Sequence, residues 1–390
     1  MRRRNEIAVV GEIRSNPTTS RAEIAERIGL SQAAVSRIVG RLIAAALVEE
    51  VHVAESTLGR PRVQLTLRGD AGYVIGAKVT ETACLGVLVD LNAVIVARAA
   101  TPLRGHTPGE VTQAVAHLVA NLAAAAKGQP VFGVGVGMPG AVNATQGIVR
   151  RSPYFGWRDV DLRSLLADAV EVPVIVDNDV NALTARERLD GPGAGVDDFA
   201  VVTVGRGVGL GLVLGGRQYR GSWGGAGEFG HVKIAAEGQC ECGGVGCLEA
   251  LTSDPAIAAA VSAATGRSVD IAAAVALARS GNEAARGVFL ERGRLLGVAL
   301  GSLVNLLNPT KVLLVGEAMA AADLFVSPLQ SALRSAAIDE MTASLSVTVQ
   351  PWQDEAWALG AASLVLSDLF QPELAPAIPA RVSPLFDLVG

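Results

Sequence analysis

Twice along this chain, three strand-like segments in a row give way to alternating helices and strands, an order that restricts the body to a duplicated α/β architecture. In the first pass, strands over residues 73–79, 83–89 and 94–100 precede a helix (108–126), a strand (131–137), a helix (162–169), a strand (174–176) and a further helix. In the second, strands over 199–204 and 209–214, with a third near 232–235, precede long helices. A strand at 311–315, a helix, a strand at 346–350 and a last helix from about Glu355 complete it. The pattern predicts two related lobes with a ligand cleft between them, and it allows the final helix to cross back onto the first lobe. A length of 390 residues suits more than one core, and a chain half hydrophobic with 18% charged residues is neither disordered nor fibrous. Its 44 glycines cluster rather than recur at a fixed period, which excludes a collagen-like repeat.

Residues 1–70 read differently. They carry eleven arginines and no lysine against eight acidic residues, a net charge of +3, while the remainder is net −8. A small basic head on an acidic body predicts contact with a polyanion. Ser20 followed by Glu23 is a reciprocal capping pair for a helix over 21–28, Gly29 supplies the turn, and Ser31 caps a second helix reaching about residue 46. Ile24, Ala25, Ile28, Leu30, Val35, Ile38 and Leu42 fall where two steeply crossing helices bury side chains, the spacing of a helix-turn-helix. From Ser31 onward, Gln32, Ala33, Ser36 and Arg37 form an outward face able to read base edges. Short strands over 48–53 and 63–67 around Gly59-Arg60-Pro61-Arg62 make a wing, and Arg60 and Arg62 suit phosphates or a narrow minor groove. A helix pair that docks a partner protein is the alternative. The capped start, the wing and the charge asymmetry favour double-stranded DNA.

Arg2, Arg3 and Arg4 imitate the start of an export signal, but Glu6, Glu12 and Arg14 break any apolar stretch behind them. The alanine-rich run 111–126 holds Gln113, His117 and Asn121 and is too short to span a bilayer. A cytoplasmic chain without a membrane partner is expected. Four cysteines make no disulfide framework, and Cys240, Cys242 and Cys247 fall within eight positions. With His231 they supply one imidazole and three thiolates, the ligand count of a closed tetrahedral zinc site, hence structural rather than catalytic. Gly238, Gly243, Gly244 and Gly246 let the backbone curl around an ion. An unmetallated, reactive thiol loop is the other reading. Cys84, isolated on a strand, reads as core.

Glu228-Phe229-Gly230-His231, followed by the Cys-x-Cys-Gly-Gly-x-Gly-Cys-Leu-Glu run that ends at Glu249, resembles the signature of the ROK family, which unites bacterial sugar kinases and sugar-responsive repressors. Asn178-Asp179-Val180-Asn181 after a strand, the run 135–140, Ser152-Pro153 with Gly156-Trp157, and Asn305-Leu306-Leu307-Asn308-Pro309 match it too, so the resemblance spans about residues 70–370. It implies an α/β fold of the actin-like ATPase type (sugar kinase, ribonuclease H-like), and a winged helix-turn-helix in front is the family's repressor arrangement. The expected organisation is a DNA-binding head over 1–70, a first lobe over 71–190, a second lobe with the zinc site and dimerisation helices over 191–370, and a tail over 371–390. The resemblance also implies that Asn178, Asp179, Glu228, His231 and Glu249 contact a monosaccharide or sugar derivative, carboxylates and an amide being suited to accept from hydroxyl donors. His231 would then hold zinc through one ring nitrogen and a sugar hydroxyl through the other. Tyr154 departs from the asparagine that family sugar pockets usually place there, which bears on ligand identity.

In the kinase branch the residue matching Asp179 is the general base for the attacking sugar hydroxyl. Those kinases also open with an Asp-x-Gly-Gly-Thr-like turn, where this chain has Lys78-Val79-Thr80-Glu81-Thr82. Lys78 cannot ligate Mg²⁺, and Glu81 repels a triphosphate. Arg206 replaces the usual threonine in the glycine loop 205–211, and Gly316-Glu317 departs from the expected paired glycines. These departures predict a vestigial base at Asp179 and a regulator rather than an enzyme, assembled as a homodimer or homotetramer on operator DNA. A sugar kinase with a DNA-binding head, and a ligand-independent scaffold braced by zinc, are the competing readings.

Overall fold

The computed structural model describes residues 2–53, 62–353 and 355–372. They fall into two units, Met1–Arg186 with Trp357–Gly390, and Glu187–Ala356. The first unit opens with α1 (Arg2–Ser15), a helix the sequence reading leaves out. Its Ile7-Ala8-Val9-Val10 run is rich in β-branched residues with no helix preference of their own. Tertiary packing sustains it instead: Val9, Val10 and Ile13 are buried, and the helix contacts α2 (Arg21–Ile28), α3 (Gln32–Ala44) and β2 (Arg62–Leu67). Buried Glu6 of α1 forms an ion pair with Arg41 of α3. The expected cap of α2 is present, with Glu23 N–H donating to Ser20 Oγ (3.3 Å) and Ser20 N–H to Glu23 Oε2 (2.7 Å). Gly29 ends that helix at φ 68°, a left-handed turn that sets up the crossing with α3. β1 (Val48–Val53) pairs antiparallel with β2, Val48 opposite Leu67. The expected wing tip with Gly59, Arg60 and Pro61 lies outside the described residues, and Arg62 opens β2.

The first lobe follows as β3 (Tyr73–Val79), β4 (Ala83–Asp90), β5 (Ile95–Pro102), α4 (Pro108–Ala124), β6 (Val131–Met138), β7 (Ala141–Asn143), β8 (Ile148–Ser152), β9 (Trp157–Asp161), α5 (Leu162–Ala167), β10 (Val174–Asn178) and α6 (Asp179–Leu189). Its main sheet has the order β10-β6-β3-β4-β5, parallel across β10, β6 and β3 and antiparallel across β3, β4 and β5. Val111, Val115, Leu118 and Leu122 bury one face of α4 in a core with Ile75, Leu88, Val134 and Val136 of the sheet. β7, β8 and β9 form a small separate sheet that the sequence reading leaves out, because these short segments are largely polar and present no apolar run to mark them.

The second unit holds β11 (Phe199–Val204), β12 (Val208–Leu214), β13 (Arg217–Tyr219), α7 (Leu248–Thr252), α8 (Asp254–Thr265), α9 (Ile271–Arg279), α10 (Glu283–Leu307), β14 (Lys311–Val315), α11 (Ala322–Ala336), α12 (Asp339–Ala343) and β15 (Ser346–Val349). Its sheet, β13-β12-β11-β14-β15, repeats the first in order and strand direction, parallel across β15, β14 and β11 and antiparallel across β11, β12 and β13. The duplication is therefore one of topology. One strand is corrected: the third is β13, whereas Ile234 and Ala235 donate their N–H groups to Gly246 O (2.9 and 3.3 Å) and belong to the cysteine loop. Buried Arg292 of α10 bonds Asp254 at 2.9 Å and lies 4.9 Å from the Phe325 ring; Asp254 N–H in turn donates to Gly205 O (2.7 Å), fixing the loop after β11.

The last helix, α13 (Ala356–Phe370), returns to the first unit, so residues 357–370 pack there rather than with the lobe that precedes them in the chain. A methyl group at Gly76 of β3 would collide with the Ala358 carbonyl oxygen, and one at Gly135 of β6 with that of Ala361. No helix among the described residues is long and apolar enough to cross a membrane. Gly135→Ala is expected to cost about 1–3 kcal/mol of stability by forcing α13 off the sheet. Gly109→Ala, where a methyl would meet nothing within 4 Å in α4, should be neutral or stabilising by up to about 1 kcal/mol. Denaturant unfolding of the two variants checks the contrast.

Candidate functional site

In the second unit, His231, Cys240, Cys242 and Cys247 place their ligand atoms within 4.8 Å of one another, so the cluster could hold a metal ion. Cys240 Sγ lies 3.6 Å from His231 Nδ1, and Cys242 Sγ lies 3.7 Å from Cys247 Sγ. A tetrahedron with arms of ~2.3 Å has edges of about 3.8 Å, so these separations fit a metal at the centre. Gly246 makes the curl possible: its φ is 73°, and a methyl there would collide with the Ala235 carbonyl. Burial pushes the Cys240 thiol up to about 12, which leaves a cation as the natural counter-charge for a thiolate at that point. Lys233, a residue sequence reasoning missed, donates from Nζ to Cys247 Sγ at 2.8 Å, and that bond raises its pKa above the ordinary lysine value. Cys84 is also pushed up to about 12 by burial, as befits an inert core thiol.

The same loop carries three of the expected sugar-contacting residues. His231 turns Nδ1 toward the sulfurs and Nε2 toward Glu228, whose Oε2 lies 3.6 Å away. Glu249, in the first turn of α7, accepts from Val208 N–H at 2.9 Å through Oε2, and its Oε1 lies 4.0 Å from Cys240 Sγ. A methyl on Gly230 would collide with the Val208 carbonyl, so the Glu228–His231 turn lies flush against β12. Imidazole and two carboxylates are thus positioned by the cysteine loop and the start of β12. Glu228 is exposed, while His231 and Glu249 are half-buried.

In the first unit, Asn178 ends β10 and Asp179 begins α6. The Asn178 amide caps the helix: Oδ1 accepts from Val180 N–H (2.9 Å) and Asn181 N–H (3.1 Å), and Nδ2 donates to Gly140 O (2.9 Å). Its oxygen is filled by the backbone, which limits a ligand contact to the second amide N–H. Asp179 accepts from Val180 N–H through Oδ1 (2.9 Å) and from the Lys78 ammonium through Oδ2. Both side chains of this ion pair are nearly enclosed, 9% and 13% exposed, and Lys78 Nζ also lies 4.9 Å from the Trp357 ring centroid. The sequence reading treats Lys78 only as a lost metal ligand. A lysine in an apolar strand needs a counter-charge, and that requirement is the signal that could have found the pair.

The stretches that would serve a nucleotide are engaged otherwise. In the β3–β4 turn, Thr80 Oγ1 accepts from Thr82 N–H (3.3 Å) and Ala83 N–H (3.0 Å), so those amides are not turned outward. In the second unit, Arg206 bonds both carboxylate oxygens of Glu241 (3.1 and 3.2 Å), and the Glu317 carboxylate occupies the space a methyl on Gly205 would need. On the head, Ser31, Gln32, Ala33, Ser36 and Arg37 are all exposed along the start of α3, while Val35, Ile38, Val39 and Leu42 face inward.

Over residues 74–368 the sequence matches the ROK family, and over residues 3–56 the MarR family. The chain is similar to the xylose repressor of Caldicellulosiruptor bescii, 28% identical over 389 residues that span 95% of this chain and 98% of that one. The crystal structure of a ROK family transcriptional regulator, a homologue of the Escherichia coli MLC protein, superposes with a TM-score of 0.84 at 26% identity, covering 99% of this chain and 98% of the other. A ROK family glucokinase from Streptomyces griseus, in complex with glucose and AMPPNP, gives 0.66 at 28% identity, covering 75% of this chain and 99% of that one. Cys247→Ser should reduce the metal retained by purified protein from about one ion per chain to a small fraction of that, read by elemental analysis, since three donors do not close a tetrahedral cage.

Proposed function

The chain belongs to the ROK family, and from that membership we propose that it is a sugar-responsive DNA-binding repressor of carbohydrate-metabolism genes, acting in the cytoplasm. The likeness to a whole ROK regulator, head included, supports this reading over an enzyme, since the glucokinase likeness covers only 75% of the chain. The observation that carries it is the Lys78–Asp179 pair. With Oδ2 held by an ammonium and Oδ1 by a backbone N–H, the carboxylate is not presented as a base toward a reacting hydroxyl, although it remains a hydrogen-bond acceptor. Glu317 beside Gly205 and the Thr80-closed turn argue in the same direction, because neither offers donors to a triphosphate.

We infer that the residues that meet the sugar are Asn178, Asp179, Glu228, His231 and Glu249. Zinc is the ion whose chemistry suits the His231, Cys240, Cys242, Cys247 cage, and when bound it stiffens the loop and fixes the imidazole. His231 Nδ1 would hold the metal, leaving Nε2 and Glu228 for sugar hydroxyls. On the head, Ser31, Gln32, Ala33, Ser36 and Arg37 read the major groove while Arg60 and Arg62 meet the backbone or minor groove. A two-fold homodimer, or a homotetramer built from it, sets two α3 helices on half-sites about 34 Å apart. A sugar that favours one arrangement of the heads changes operator affinity by its difference in affinity for the two states.

Full-length protein, offered a random duplex library, should select a two-fold symmetric site. Titration calorimetry with D-xylose, D-glucose and other monosaccharides should give heat for at least one, and that sugar should shift the dissociation constant of the selected duplex at least about fivefold. Arg37→Ala is expected to cost about 1–3 kcal/mol of operator affinity while leaving the sugar titration unchanged. Sugar phosphorylation by the wild type with MgATP would replace this reading with the kinase one, and no heat from any sugar would end it.

A further inference from the structure

One helix of the first unit touches both the ion-pair partner of the proposed sugar-contacting carboxylate and the proposed DNA-binding head. At the start of α13, the Trp357 ring stands 4.9 Å from Lys78 Nζ, and Lys78 is the ion-pair partner of Asp179. One turn further, Gly360 lies against α6, the helix that Asp179 opens; a methyl there would sit 2.8 Å from the Leu183 Cα. At its other end, the Phe370 carbonyl faces Gly11 of α1, where a methyl would sit 2.8 Å from the oxygen. Arg14 of α1 places its guanidinium 5.3 Å from the Phe370 ring centroid and donates from Nε to Leu91 O at 2.9 Å. From α1 the Glu6–Arg41 pair continues to α3, whose outer face is the proposed reading surface.

The packing makes α13 stiff. Backbone-to-backbone contact at Gly76, Gly135 and Gly360 leaves no soft side chains to absorb a displacement, so the helix shifts as a body or not at all. Its 15 residues span about 21 Å, from the ion pair to the head. A sugar hydroxyl that donates to Asp179 competes with the Lys78 ammonium for the same carboxylate, and any change in the place of that ammonium is felt on the Trp357 face.

Resting on the sugar site assigned above, the geometry points to α13 as the rod that carries occupancy of Asp179 to the head, with Lys78 as the positioning residue that senses it. Phe370→Ala and Arg14→Gln act at the head end, far from the sugar contacts. Both should bind D-xylose or D-glucose, whichever the wild type takes, within twofold of wild-type affinity. The ratio of operator dissociation constants with and without that sugar, about fivefold or more in the wild type, should fall below about twofold in both. Hydrogen exchange over residues 2–15 should respond to sugar in the wild type and not in Phe370→Ala, a readout that mere loss of stability does not give. Lys78→Arg should keep the ratio, and Lys78→Met should lose it. If Phe370→Ala does not fold, Arg14→Gln carries the same test. Sugar binding with an undiminished ratio in the head-end variants would overturn the rod and leave the sugar reading standing; a wild type that binds no monosaccharide would overturn both.

Discussion

Gly76 and Gly135 let α13 lie directly on the peptide groups of β3 and β6, and the rest of the first unit is arranged around that close approach. The helix closes one side of the sheet while α4 closes the other, and α6 is held against Gly360 with Asp179 at its tip. Larger residues at these glycines would lift the helix by the width of a side chain, and the Trp357 and Phe370 contacts would both be lost. Backbone contact of this kind is unforgiving, which is why it can hold two distant groups in register.

Lys78 shows how a single charge changes what a site of this fold can do. A buried ammonium requires a partner, and Asp179 on the neighbouring helix supplies one, so the carboxylate is tied to Lys78 across the sheet–helix boundary. In the second unit Glu317 beside Gly205 and Arg206 on Glu241 have a comparable effect on the glycine loop. Glu228, His231 and Glu249 stand beside these changes on the loop that gathers His231 with three cysteines into a cluster able to hold a metal ion.

Much of the architecture follows from local pattern. Short apolar, valine-rich runs mark most of the main-sheet strands, the Ser20–Glu23 pair marks the start of α2, and three cysteines within eight positions mark the loop that gathers the imidazole and thiolates. What escaped was set by contacts far apart in sequence. α1 is held by α2, α3 and β2, which cover it, while its Ile7-Ala8-Val9-Val10 run carries no helix preference of its own. Lys78 and Asp179 are 101 positions apart, and no periodicity links them. β13 and the β7–β9 sheet are too short to announce themselves, while Ile234 and Ala235, apolar enough to suggest a strand, are drawn into the cysteine loop by Gly246.

The seating of α1 against Phe370 joins residues from opposite ends of the chain. A ribosome releases the head hundreds of residues before it releases that seat. The small domain can fold early on its own capped helices, yet it stays undocked until Phe370 has emerged. Chains that stop before Phe370 therefore leave α1 without that seat, and its docking comes late in synthesis however early the head folds.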